Sequence, residues 1–488
     1  MLVALIPLAA WAQDDSASQQ NPGSGDQSAN GSPQQDQTAP APAFGPGVTI
    51  PSASENPPIS GLDQPSLEPG AITRSFLAPG AILSQSGDSN IAGTFGSANN
   101  SSGEGGITRA LGGLTLQRIW NRYETDLQYI GGGIFYEGVN HSAIQTHEAE
   151  FAQRAMWRTG QLAFRDSVSY LPEGNFGSGS YGGASALQSG LAGLGAGVGG
   201  ISSGIGGALA GTLSASQFVS VGQSPRLTNS ADIDLVQAVS PRSTFTMAGS
   251  YGFVHFTDND PSGLIDSSQT AAQLGFTRQI NRTDQIAISY GFQHFDFPQV
   301  FDTSVTANTV HLVYGHRVTG RLDFIAAAGP QFTQIQSPLF GSNTRISASG
   351  NLKLRYRFSR TSMALEYRHY NTNGSGYFLG SNTDVGTLSV LRNLGRVWEL
   401  NSDIGIANNK RLESASVVVP AASDRYIYAG AAVHRHVGRR YRIFLSYQYN
   451  RTSFNESVCL ADAGCGKTSN RQMGVVGLEW YPRPIRLD

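Results

Sequence analysis

Charge is scarce in this sequence: 14% of its 488 residues are Asp, Glu, Lys or Arg, and lysine occurs only at Lys353, Lys410 and Lys467. The formal net charge of −2 excludes a nucleic-acid binder that relies on a broadly basic surface, because such a surface must neutralise phosphates. No apolar run reaches the roughly 20 dense residues of a spanning helix, so a helical membrane protein is excluded too. No HExxH, GxSxG, Walker or dinucleotide motif occurs, which removes the enzyme classes those motifs mark. What is abundant is glycine, at 59 residues, together with 18 Tyr, 23 Phe and 5 Trp. The aromatics rule out disorder over most of the chain. Few charges and much Gly then favour a β-barrel whose apolar residues are spread over alternate positions.

The first residues, MLVALIPLAAWAQ, hold a short apolar core followed by the small-x-small pattern Ala10-Trp11-Ala12. Residues 1–12 are therefore expected to be an export signal, truncated or begun late because no basic residue precedes the core. No Cys follows it, so a lipid-anchored Cys is not expected there. Residues 13–75 are rich in Pro, Ser, Gln and Gly, carry Asp14, Asp15, Asp26, Asp36, Glu55, Asp63 and Glu68, and have no basic residue before Arg74. Such a segment cannot bury enough apolar surface to offset the entropy of ordering it, and a disordered acidic tail is expected. It is also too short and polar for a folded plug.

From Phe76 onward the sequence alternates apolar and polar residues in stretches of roughly 10 to 15, the period-2 signature of strands with two unlike faces. In Leu352–Phe358 one face is Leu352, Leu354, Tyr356 and Phe358, the other Lys353, Arg355 and Arg357. Tyr441, Ile443, Leu445, Tyr447 and Tyr449 likewise oppose Arg442, Ser446 and Gln448. A soluble sandwich is the competing reading, but the pattern persists to Tyr481. Very short turns, such as Asn121-Arg122, Thr159-Gly160, Ser359-Arg360 and 437–439, alternate without a break with longer loops. That rhythm predicts an all-β, transmembrane, up-and-down antiparallel barrel of about 18 strands over 76–481, with both ends periplasmic. The longest connection, 172–226, is Gly-rich, and 482–488 is a short C-terminal extension. Trp120, Trp157, Trp398 and Trp480 each lie near a short turn or the periplasmic end, as an aromatic girdle on one rim requires. Tyr136, Tyr170, Phe253, Phe292, Tyr370 and Tyr449 are candidates for the opposite rim.

The export signal, low-complexity tail, long alternating strands and aromatic-rich last strand resemble Gram-negative outer-membrane β-barrels, and are similar to the large porin-like barrels of soil acidobacteria. The resemblance covers Phe76–Trp480 and rests on pattern, not on a short motif. It implies the cell outer membrane as location, and outer-membrane lipid and the barrel-insertion machinery as partners. It also implies that the 172–226 connection, third among the external loops, folds inward as a partial gate; a flexible surface loop, and an exposed apolar loop against surface polymer or a neighbouring barrel, are the other readings of its composition. One departure is plain: Trp480-Tyr481 is followed by seven more residues, whereas members of the class usually finish on an aromatic.

If apolar residues face lipid, their alternates line the lumen. Lys353, Arg355, Arg357, Arg368 and Arg442 then form a basic sector, with Glu366 nearby, and Asp126, Glu148, Glu150, Asp232 and Asp234 an acidic one. Opposed charged walls orient polar solutes and filter ions; a wet interior that merely tolerates charge is the simpler, competing explanation. Cys459 and Cys465, five residues apart in CLADAGC, can close a small disulfide loop if the backbone turns back. His434 and His436 share a strand face and His311 stands apart, too few for a metal site. No metal, cofactor or enzymatic activity is expected. The sequence points to a porin-like channel for small polar solutes or ions, with a non-conducting barrel that binds envelope polymer or a partner protein as the alternative. Monomer and homo-oligomer both stay open.

Overall fold

The computed structural model describes residues 75–90, 104–137, 143–171, 226–240, 242–257, 265–281, 283–300, 302–319, 321–338, 341–358, 360–372, 378–412, 422–438, 440–456, 467–480 and 482–487. The 1–12 signal, nearly all of the 13–75 tail, the 172–225 connection and the cysteines at 459 and 465 lie outside them.

Eighteen long strands follow one another. They are β1 (Phe76–Asp88), β2 (Gly105–Ile119), β3 (Tyr123–Glu137), β4 (Ile144–Trp157), β5 (Gly160–Leu171), β6 (Arg226–Ser240), β7 (Ser243–Phe256), β8 (Ser267–Gln279) and β9 (Asp284–Phe297). The second half comprises β10 (Thr303–Thr319), β11 (Leu322–Ser337), β12 (Gly341–Arg357), β13 (Thr361–Thr372), β14 (Ser381–Leu394), β15 (Trp398–Arg411), β16 (Ser423–Val437), β17 (Tyr441–Phe454) and β18 (Thr468–Trp480). A two-residue strand, β19 (Ile485–Arg486), ends the series. Each long strand pairs antiparallel with its neighbours in sequence, and β1 pairs with both β2 and β18, so the sheet closes as an up-and-down barrel. Closure removes the free edges that a membrane could not satisfy with hydrogen bonds.

Side-chain alternation sets the two faces. On β17, Ile443, Leu445 and Tyr447 are exposed while Arg442, Phe444, Ser446 and Gln448 are buried. The same alternation runs through β8, where Leu274 and Phe276 point outward and Gln273 and Thr277 inward. A one-residue slip in any pairing would turn these faces inside out, so the pattern itself fixes the register. The outward apolar surface identifies the chain as an outer-membrane β-barrel, since a closed antiparallel barrel with an apolar exterior is one of the two ways a backbone spans lipid.

Short turns join the strands at one end, taken as periplasmic. Gly438, at φ 67°, sits in the β16–β17 turn, a conformation in which a side chain would be strained. At this rim Trp120, Trp157, Trp398 and Trp480 are all exposed. Arg118 lies 4.9 Å over the ring of Trp120, and Arg435 lies 5.1 Å over that of Trp398. On the opposite rim, Tyr370 is buried on the inner face and Tyr136 packs inward on Ile107 and Ile134, so neither belongs to a lipid-facing girdle. The C-terminal extension is part of the sheet. Past Pro482 and Pro484, Ile485 and Arg486 pair with Leu77 and Phe76, and the Leu487 amide donates to the Ser75 carbonyl at 3.2 Å.

Candidate functional site

The inner wall is where these residues can act on a solute, because the pleat sends alternate side chains there from every strand. Lys353 and Arg355 project from β12, and Glu366 and Arg368 from β13, with Lys353 opposite Glu366 in register. The Lys353 ammonium lies 3.6 Å from a Glu366 oxygen, and Arg368 donates to the other carboxylate oxygen. The charge of Arg355 acts on Lys353, and that of Arg368 interacts with the phenols of Tyr370 and Tyr428. Two cations thus share one carboxylate, and Arg355 stands opposite Asp323 of β11 in register. Arg357 lies on the same strand, but its side chain is outside the described residues.

Arg442 stands apart from that sector. It sits on β17, four strands beyond β13, and binds Glu479 of β18, with Nε 2.5 Å from the carboxylate. A second buried pair, Arg471 with Asp88, bridges β18 to β1 across the seam where the barrel closes, with Nε 2.7 Å from a carboxylate oxygen. Beside it Asn90 donates to Ser469 at 3.1 Å, and the Gln472 amide donates to Ser89 at 2.8 Å.

Of the expected acidic sector, Asp126 is buried on the inner face of β3, beside Glu124. Glu124 pairs with Arg154 at 3.0 Å and accepts from Gln117 at 3.0 Å. The side chains of Glu148 and Glu150 on β4, and of Asp232 and Asp234 on β6, lie outside the described residues. By strand order, β3 and β12 are nine strands apart in an eighteen-strand circle, so Asp126 faces the Lys353 group across the barrel.

The inner face is less uniformly polar than simple alternation suggests. Ile82, Ile130, Phe444, Met473 and Val475 form one inward apolar cluster. Phe444 lies over its register partner Gly477, where an added Cβ would come within 2.2 Å of the ring. A second cluster sits at the external mouth: Phe295, Phe297, Val305 and Ile335 from the strands meet Ile265, Val300, Leu379 and Leu412 from the connections. The only sequence signal for it is a break in parity on β9. Phe292 stands among outward residues, whereas Phe295 and Phe297 occupy inward ones.

His311 reaches over Gly329 to Ser349 two strands away, with Nε2 2.6 Å from Oγ. Among the described residues no carboxylate orients the ring from its other nitrogen, so this pair lacks the third member of a hydrolytic triad. His434 and His436 both lie on inward positions of β16, where His434 packs against Phe444. Among the described residues no three His, Cys, Asp or Glu side chains converge as a metal site.

No protein-family model and no curated protein matches the sequence. Several solved structures are similar to the chain at low identity. The FrpB iron transporter of Neisseria meningitidis is 8% identical, with a TM-score of 0.42 over 87% of this chain and 83% of that one. OccK2 of Pseudomonas aeruginosa is 8% identical, with a TM-score of 0.41 over 85% of this chain and 98% of that one. OccAB3 of Acinetobacter baumannii is 10% identical, with a TM-score of 0.41 over 84% of this chain and 100% of that one.

Proposed function

We propose that the barrel is a porin-like channel for passive diffusion of small polar solutes or ions, as its resemblance to the large acidobacterial barrels implies. The observation that supports this is the uneven charge of the inner face. Lys353 and Arg368 flank one carboxylate on β12 and β13, opposite Asp126 on β3. Charged walls on opposite sides of a polar lumen set up a transverse field that favours one sign of ion and orients dipolar solutes. No side chain carries out a chemical step in this reading. Single-channel recording of the refolded barrel in a planar bilayer is the test, with a salt gradient to read ion preference. Stable steps with a preference for anions are expected; a folded barrel that stays silent would refute the channel.

A second reading, a non-conducting structural or surface-interaction barrel, is favoured by the burial of the wall. Eighteen strands leave room for an aqueous lumen, yet inward Gln285 and Gln331 are each only 1% exposed. The apolar cluster at the external mouth adds to the obstruction. Silence in the bilayer would select this reading.

A further inference from the structure

The outward face carries a charge cluster that the lumen does not explain. At the external ends of three consecutive strands, Lys410 on β15, Arg425 on β16 and Arg451 on β17 occupy outward positions and are exposed. Arg425 is in register with Asn408, and Arg451 with Ile427, so each cation is a diagonal neighbour of the next. Diagonal positions lie roughly 7–8 Å apart, close enough for one anionic group to touch more than one of them. Among the described residues these are the only lysine or arginine side chains on outward positions of the external half. The exposed Arg118, Arg122, Arg278, Arg321, Arg396 and Arg440 belong to the periplasmic rim, and Arg345, exposed at the external end of β12, occupies an inward position opposite Thr333.

The local partners of the trio offset only part of its charge. Arg425 Nε donates to the neutral Asn408 at 2.9 Å. Asp384, on the neighbouring β14 and within electrostatic reach of Lys410, already accepts from Tyr367 at 2.7 Å and contacts His369 at 2.7 Å. Directly below the cations on the same face lie Ile404 and Ile406 of β15 and Leu445 and Tyr447 of β17, all exposed to the acyl region. A ligand on this surface therefore meets apolar side chains with one end and three cations with the other.

We propose that Lys410, Arg425 and Arg451 form a binding site for the phosphorylated head group of an outer-leaflet lipid, its acyl chains lying on β15–β17. Guanidinium groups hold phosphate by paired N–H donors, and lysine adds a point charge. The site does not depend on the channel reading, and a silent barrel would leave it intact.

The probe is a bisphosphorylated lipid A, compared with its dephosphorylated form, binding to the full-length folded barrel in detergent and read by native mass spectrometry. The wild-type protein is expected to retain the phosphorylated lipid and release the dephosphorylated one, a comparison that needs no variant. The triple variant Lys410→Gln, Arg425→Gln, Arg451→Gln is expected to bind on the order of 100-fold more weakly, at roughly fivefold per basic residue beside an anionic surface. The same charge change at Arg118, Arg122 and Arg278 should leave retention unchanged, and heat-modifiable gel mobility reports whether each variant has folded. Equal retention of the two lipids, undiminished binding by the folded triple variant, or full displacement by millimolar inorganic phosphate would overturn the proposal. The last result would mark a site for free anions.

Discussion

The charges on β12 and β13 differ from those around β18 in how a carboxylate is shared, although both groups use arginine and carboxylate on the same inner face. Lys353 and Arg368 share Glu366. Arg442 binds Glu479 and Arg471 binds Asp88, with Glu399 also within electrostatic reach of Arg442. Both groups are largely buried: the Arg368 side chain is 4% exposed and that of Arg471 6%. Lys353, at 13%, is the most open of the bonded side chains. An arginine closed on a carboxylate of the next strand, away from water, ties strands together and offers little to a passing solute. The pairs around β18 are therefore read as fastenings of the closing seam, and Lys353 with its shared carboxylate as the part of the wall that a solute would sense.

Removing one member of a bonded buried pair is the largest expected perturbation, because it takes away a charge's direct partner where water cannot replace it. Glu479→Ala, which removes the carboxylate that Arg442 binds, is expected to cost about 3–5 kcal/mol of stability. Urea unfolding followed by tryptophan fluorescence measures this. The parallel substitution Lys353→Gln leaves Glu366 held by Arg368 and should cost less than about 1 kcal/mol. Equal losses at the two sites would erase the distinction.

The apolar packing beside the seam gives the next largest effect. Phe444 covers Gly477, so Gly477→Val would push a side chain into the aromatic ring. Overpacking of this kind costs roughly 1–3 kcal/mol. Combining it with Phe444→Ala should recover part of the loss, since the ring then no longer fills the space. Urea midpoints of the two single variants and the double variant test this, and additive losses would mean that the contact does not carry the effect.

Neutralising the β12 cations should alter permeation with little effect on folding. Lys353→Gln with Arg355→Gln is expected to shift the reversal potential in a KCl gradient towards cation preference. A unit charge about 8 Å from the ion path in a water-like dielectric changes ion partition by roughly twofold, so two charges give about fourfold. An unchanged reversal potential in a conducting barrel would place the path of the ions elsewhere.

Which of these features the sequence disclosed depends on how local their cause is. Alternation in Tyr441–Tyr449 is a property of neighbouring residues, and the turns at 121–122 and 437–439 are short and local, so strand number and facing were legible. The inward direction of Lys353, Arg355 and Arg368 followed from the same parity. Pairing across the barrel is not local. Asp88 and Arg471 meet because the sheet closes, at a separation of 383 residues, and no spacing rule connects them. Arg442 looked like a member of the basic sector because its face was readable and its partner Glu479 was not. The mouth cluster was hidden for a related reason: Ile265, Val300 and Leu379 come from connections, where alternation carries no information.

The smallest effect is expected at a charge that belongs to neither inner group. Arg435 faces outward at the periplasmic rim, 5.1 Å over the ring of Trp398. There water and head groups solvate the guanidinium whether or not the ring is present, so its loss strands nothing. Arg435→Gln should cost about 0.5–1 kcal/mol, the range of an exposed cation–π contact. Urea unfolding can resolve that, and raising the salt concentration should shrink the difference, because exposed charges are screened. Loss of Glu479 should be far less sensitive to salt, since its partner is held away from solvent. If the Arg435 variant proved as damaging as the Glu479 variant, burial would not be what separates fastening charges from the rest, and the contrast between the seam pairs and the exposed rim would lose its physical basis.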